Sequence, residues 1–215
     1  MFSRHLAFVS LRCGVSMRII ILHGFNATPS DHFYPSLASD MRALGYDVVV
    51  PTLSLVTGEA FSLPTIIDEL KKQVGFIKKD DILVGHSLSS FIILQYLEAV
   101  EMTETPRAVV LVAPPWSVSR PELRPLFIVD LDADVLMWKA REFVVIHSKD
   151  DTLVPVVHGK HLARALKARW IETENDGHFM DTKYPALSEQ IDKIINTPFL
   201  YAPGSSLEDD YKVGE

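Results

Sequence analysis

Between residues 17 and 196 the chain alternates short, unbroken apolar runs with longer stretches whose apolar positions recur every three or four residues. The short runs fall at Arg18–Leu22, Asp47–Pro51, Asp81–Gly85, Ala108–Val112, Glu142–His147 and Ala168–Glu172. Their β-branched content and length predict strands. The longer stretches, Tyr34–Leu44, Leu63–Ile77, Leu88–Val100, Val156–Leu166 and Ala186–Ile195, predict helices. At 82–84, 109–112 and 143–146 the runs are continuously hydrophobic rather than alternating, as in strands covered on both faces. Strands interleaved with helices in this way predict repeated βαβ units. The fold class expected is α/β, with a doubly wound, mostly parallel sheet flanked by helices.

One region breaks the rhythm. Pro114 to Trp138 reads PPWSVSRPELRPLFIVDLDADVLMW, with four prolines. It is too short for a separate domain, so a loop with one or two short helices beside the working edge of the sheet is expected, a minimal lid or pocket wall. The ends also differ from the middle. Residues 1–16 carry Arg4, Arg12 and three serines but no acid. This could be a transit or weak secretory leader; the preferred expectation is a flexible extension, with the fold proper over residues 17–196. Residues 197–215 combine Pro203-Gly204-Ser205-Ser206 with Glu208-Asp209-Asp210 and predict a mobile acidic tail.

Composition narrows the function classes. With 47% hydrophobic and 23% charged residues, 215 residues suit one globular domain that folds without staples. The single cysteine, Cys13, excludes an intrachain disulfide and points to a reducing, cytoplasmic setting, with targeting by residues 1–16 left open. The formal net charge of −7, with no basic stripe, argues against nucleic acid as a partner. No apolar run approaches the roughly 20 residues of a membrane-spanning helix.

Candidate chemistry sits where strands end. Ile82 to Ile93 reads ILVGHSLSSFII, a predicted strand running into a predicted helix with Ser87 at the junction. In an open parallel sheet, ligands bind at the carboxyl ends of the strands. The Gly-x-Ser-x-Gly nucleophile elbow occupies such a turn. Here Gly85 is present, but Ser89 replaces the second glycine. A serine hydroxyl needs a base to attack near neutral pH, and the base needs a third group, usually a carboxylate, to orient it. Two later strand ends supply candidates. The run Phe143–Ile146 leads into HSKDDTLVP, with Asp150 and Asp151; the next strand leads into NDGHF, with His178. All of these fall on one edge of the inferred sheet.

These segments resemble the α/β-hydrolase superfamily, and within it the retinoblastoma-binding-protein-9-like branch of small serine hydrolases. The resemblance covers most of Met17 to Ile195 through HGFNATPSDHFYPSL, VGHSLSS, HSKDDTLVP and NDGHF. It implies a compact hydrolase fold with a minimal lid, a Ser-His-Asp triad, and hydrolysis of small esters or peptides. In that pattern Asp151, directly before the x-x-hydrophobic-Pro tail, is the acid, and His178 is the base. Ser87 is the nucleophile. The oxyanion donors expected are the backbone N–H of Leu88 and that of Phe25, in the loop after the first core strand. Trp116 is read as a substrate-pocket wall, with local packing as its rival.

Other residues have plainer readings. Asp150 is taken as a capping or exposed carboxylate, His147 as a turn hydrogen-bonder, and His158 and His161 as residues of an exposed helix face. His86 is read as packed beside the nucleophile, and His23 and His32 as pocket-mouth or structural histidines. No metal-ligand spacing and no glycine-rich phosphate loop occurs, so no cofactor and no metal are expected. The partner expected is a small-molecule acyl substrate. A protein partner is also open, because a binding module on a hydrolase fold, and an acyltransferase or thioesterase, are the competing functions.

Overall fold

The computed structural model describes residues 17–56, 62–100, 104–118, 120–127 and 131–197. The extension read at residues 1–16 and the tail beyond Thr197 lie outside them. Six strands form one sheet: β1 (Arg18–Leu22), β2 (Asp47–Val49), β3 (Ile82–His86), β4 (Ala108–Val112), β5 (Phe143–Ser148) and β6 (Arg169–Thr173). Their order is β2-β1-β3-β4-β5-β6, and every neighbouring pair is parallel. All carboxyl ends therefore open onto one edge. The chain moves outward from β1 to β2, then crosses back over β1 to lay down β3, with Leu22 level with Gly85. The loops after β1 and β3 leave in opposite directions, which creates the crevice of a topological switch point.

The unbroken apolar runs are explained by two cores. Ile19, Ile21, Ile82, Val84, Val110, Val112, Val144 and Ile146 face one layer, and Ile20, Leu22, Leu83, Val109, Leu111 and Val145 face the other. Successive side chains alternate across a strand, so a strand covered on both sides needs both parities apolar. Each such side chain, fully buried, contributes roughly 1.5–3 kcal/mol of hydrophobic stabilisation. The first layer is α1 (Tyr34–Ala43) and α6 (Pro185–Asn196); the second holds α2 (Leu63–Val74), α3 (Leu88–Ala99), α4 (Ala133–Leu136) and α5 (Val156–Ala165). Leu88 to Leu97 of α3 are all buried, because that helix is wrapped by the sheet, α2 and α4.

Several boundaries differ from the sequence expectation. Helix α2 stops at Val74 rather than Ile77, because Gly75 takes φ 70° and ends the ladder. Its start is set by Ser62, whose hydroxyl accepts the Thr65 N–H. Strand β2 ends at Val49, short of Pro51. The irregular region holds a 3-10 segment over Pro121–Phe127 and the short α4, with Leu123, Leu126 and Leu136 anchored in the second core.

At the opposite edge of the sheet the polar groups are structural. Arg18 donates two hydrogen bonds to the Asp81 carboxylate (3.1 and 2.6 Å) and others to the carbonyls of Val74 and Phe76. Arg107 donates to the Ile195 and Thr197 carbonyls at the end of α6.

Candidate active site

Ser87 sits between β3 and α3 with φ 53° and ψ −124°, a conformation that costs a non-glycine residue free energy and is held only when its surroundings insist on it. Here they do. Its N–H donates to the Val112 carbonyl (2.8 Å), and its own carbonyl accepts the Ser90 N–H (2.9 Å). Gly85 makes the turn this tight: a Cβ there would lie 2.8 Å from Ser90 Cα and 2.9 Å from the Ser89 carbonyl oxygen. The hydroxyl is thereby lifted from a buried strand into a cavity of about 300 Å³, where Ser87 is half-buried.

Two further loops meet it. Ser87 Oγ donates to His178 Nε2 (2.9 Å), and His178 Nδ1 donates to Asp151 Oδ2 (2.7 Å), which selects the tautomer that leaves Nε2 free to accept. Asp151 is held by four partners. Its Oδ1 accepts the N–H groups of Leu153 and Val154, both at 2.9 Å. Its Oδ2 lies 3.2 Å from His147 Nε2 as well as on His178. Burial alone would raise its pKa, but the bonds from His147, His178 and Val154, together with the His178 charge, outweigh it and hold the carboxyl below its ordinary range. The site thus brings together a hydroxyl, an imidazole within hydrogen-bond reach of it, and a carboxylate, held toward its charged form, on the far side of the imidazole.

The structure also places the rival residues. Asp150 is exposed, as expected, but not free: it accepts the Ser148 hydroxyl and the Gly177 N–H (2.9 Å), clamping the β5 loop to the His178 loop. His147 does more than close a turn. Its Nε2 donates to the Val154 carbonyl (2.8 Å) beside the Asp151 carboxylate, and the ring is fully buried. Gly159, in the middle of α5, exists for that ring, because a Cβ there would approach His147 Nδ1 to 2.5 Å. His158 is not simply exposed; its Nδ1 accepts the Trp116 N–H (3.0 Å). His161 is exposed and lies against Trp116.

A chain of hydrogen bonds not legible in the sequence joins the two halves of the site. Gly24 N–H donates to Tyr34 Oη (2.9 Å), Tyr34 O–H donates to His86 Nδ1 (2.6 Å), and His86 Nε2–H donates to the His178 carbonyl (2.8 Å). Burial, reinforced by repulsion from His178, pushes the His86 pKa down to about 3, so the ring stays neutral and keeps both roles. Tyr34 is pushed upward by burial and stays protonated. On either side of Phe25 the loop amides are held, Gly24 on Tyr34 and Asn26 on the Leu55 carbonyl (2.7 Å). His23 accepts the Leu53 N–H (2.9 Å) and donates to the Gly24 carbonyl; burial lowers its pKa, so it stays neutral in that role. Ser89 is fully buried and donates its hydroxyl to the His23 carbonyl, so the replacement of the elbow glycine ties α3 to the loop carrying Phe25. His32 donates to the Met180 carbonyl at the cavity mouth.

Phe25 and Leu88 both line the cavity over Ser87. Leu88 opens α3, where N–H groups have no partner within the helix and the dipole favours negative charge. Trp116 lines a neighbouring cavity rather than this one. Among the described residues no cluster of three or more His, Cys, Asp or Glu is arranged to hold a metal, and no helix is long and apolar enough to cross a membrane.

Comparison with known proteins gives the family and the fold. Residues 19–193 match the serine hydrolase family. YdeN of Bacillus subtilis (strain 168), a protein named as a hydrolase, is 28% identical over 170 residues, covering 78% of this chain and 88% of YdeN. The crystal structure of the ydeN gene product superposes with a TM-score of 0.77 at 25% identity, over 85% of this chain and 100% of that one. Est1E from Butyrivibrio proteoclasticus shares the fold, with a TM-score of 0.64 at 12% identity over 84% of this chain and 87% of its own. Fold, family match and relative converge: the chain belongs to the serine hydrolase family and is an enzyme built on the α/β-hydrolase fold.

Proposed function

We propose that the enzyme hydrolyses small carboxylic esters through an acyl-enzyme formed on Ser87. The observation that carries this reading is the unbroken line from Ser87 Oγ through His178 to Asp151, at 2.9 and 2.7 Å, assembled from three separate loops. Ser87 Oγ attacks the carbonyl carbon while its proton passes to His178 Nε2. The negative charge moves to the carbonyl oxygen, which the N–H groups of Leu88 and Phe25 receive; one such donor is worth about 2.7–4 kcal/mol in the transition state. The intermediate collapses, the bond to the leaving oxygen breaks, and His178 gives that oxygen its proton. Water then attacks the acyl carbon, losing a proton to His178. The acyl–Oγ bond breaks and Ser87 regains its proton. The net change is ester plus water to acid plus alcohol.

What supports ester over bulkier substrates is the modest cavity of about 300 Å³ above Ser87 and the short segment that walls it. A cytoplasmic setting belongs to the same reading and is supported by the single cysteine. The test is labelling with a fluorophosphonate, located by mass spectrometry. A single adduct on Ser87 is expected in wild-type protein, none on Ser87→Ala, and labelling at least about 10²-fold slower in His178→Ala. Absence of an adduct on folded wild-type protein would overturn the reading.

A further inference from the structure

The cavity over Ser87 is not alone. A second, of about 410 Å³, lies beside it, walled by Phe91, Trp116, Val118, Phe127 and Leu131, with Arg124 among its lining residues. Ser117 and Val118 line both, so the two meet. Leu88, over Ser87, and Phe91, in the second cavity, are one turn apart on α3, about 5 Å along its axis. Phe91 stacks on Phe127 with ring centroids 3.8 Å apart, which makes a firm apolar wall.

The charges around this double cavity are one-sided. The chain has 28 acidic and 21 basic residues, yet among the described residues no aspartate or glutamate lines either cavity. The described ionic side chains that do, histidines aside, are Arg120 in the cavity over Ser87 and Arg124 in its neighbour. Arg124 has no ion-pair partner among the described residues. Arg120 stands 5.8 Å over the Phe25 ring and reaches only an exposed Glu122, at 4.0 Å. In an acidic chain, two guanidinium groups on one lip of an apolar cleft make a local positive field that selects for negative charge. A guanidinium matches a carboxylate in a bidentate pair.

We propose that the two cavities form one substrate site, and that the preferred substrates are esters bearing an apolar arm tipped with a carboxylate: the reacting carbonyl over Ser87, the arm along Phe91 and Trp116, and the carboxylate on Arg124 and Arg120. This rests on the acyl-enzyme reading above and adds the substrate class to it. The arm belongs either to the acyl or to the alcohol half of the ester, and the two give the same chemistry at the arginines.

Both halves are testable with matched esters, hydrolysis being followed by acid release. On the acyl side, monomethyl adipate is set against methyl hexanoate; on the alcohol side, the acetate ester of ω-hydroxyhexanoate is set against hexyl acetate. In at least one pair, kcat/KM for the carboxylate is expected to exceed that of the neutral ester by about tenfold, the low end for hydrogen bonds to a charged group at a solvent-open site. That ratio should fall to near one in Arg124→Gln, fall in Arg120→Gln, shrink as salt is raised, and hold in Lys72→Gln, the same charge change on the exposed end of α2. Neutral esters cleaved and Ser87 labelled, but with no carboxylate preference in either pair, would overturn this proposal alone. So would a preference that survives the Arg124→Gln, Arg120→Gln double variant. No cleavage of any ester and no label on Ser87 would overturn the acyl-enzyme reading, and this proposal with it.

Discussion

Ser89 is a departure from the elbow pattern that the fold has put to use. Its hydroxyl has no water to return to, and the His23 carbonyl it bonds is equally enclosed. Ser89→Ala therefore leaves a buried acceptor unpaired, at an expected cost of about 1–3 kcal/mol. Ser89→Gly restores the glycine of Gly-x-Ser-x-Gly, but loses the same bond and adds up to about 1 kcal/mol of helix penalty. Both variants should lower kcat more than they raise KM, since the slackened loop carries Phe25. Urea melts beside steady-state kinetics would check this, and a Ser89→Gly protein as stable and active as wild type would refute it. The convergence of Ser87, Asp151 and His178 was legible in the sequence because each lies in a loop just past a strand, with local markers: Gly85 before the serine, Val154-Pro155 after the acid, Gly177 before the histidine. The bridge from Gly24 through Tyr34 and His86 to His178 was not. Its bonded neighbours lie up to 92 positions apart, and nothing near Tyr34 signals that its hydroxyl faces a histidine.

At the scale of elements, the fold was readable wherever burial on both faces left an unmistakable mark, as at Ile82–Val84 and Val109–Val112. Boundaries were less so, because a helix end depends on one backbone angle: Gly75 could have been passed through, but at φ 70° it stops α2. The role of Gly159 was hidden for a related reason, since its need arises from His147, on the strand it packs against. Gly85 offers the sharpest test of how β3 and α3 fit. A methyl there meets the backbone at Ser89 and Ser90 as well as the Ile93 side chain, and the backbone cannot yield cheaply. Gly85→Ala is expected to destabilise the protein by about 1–3 kcal/mol and to slow phosphonate labelling of Ser87, as the turn opens to make room. Thermal melts and labelling rates would measure the two effects. A variant with wild-type values in both would show that the packing is looser than these distances imply.

For the molecule as a whole, the buried neutral histidines set how stability follows pH. The folded state holds His86 at about 3, whereas the unfolded chain binds a proton near 6.5. Between those values the unfolded state takes up a proton that the folded state refuses, so stability falls as pH falls, by up to about 1.4 kcal/mol per unit from this residue. His23 and His158, also lowered by burial, lean the same way. Asp151 keeps its contribution to lower pH, because its folded value lies below the ordinary carboxylate range and the stability is lost only as pH drops toward it. Urea unfolding at pH 7.5, 6.5, 5.5 and 4.5 should therefore show a decline that is shallower in His86→Gln by close to one proton. Parallel slopes in the two proteins would show that His86 is protonated in the folded state as readily as in the unfolded one.

The sheet order has a temporal side as well. Ser87 leaves the third strand and His178 follows the sixth, which among the described residues pairs only with β5 at the sheet's far edge. A ribosome makes the chain from its amino end, at about 5–20 residues each second. A nascent chain that has emerged as far as the loop after β5 already holds Ser87 and Asp151, yet lacks His178, the imidazole that bonds Ser87 Oγ. Under the proposed acyl-enzyme reading, chemistry waits for the sixth strand to dock, so a nascent chain short of His178 is silent.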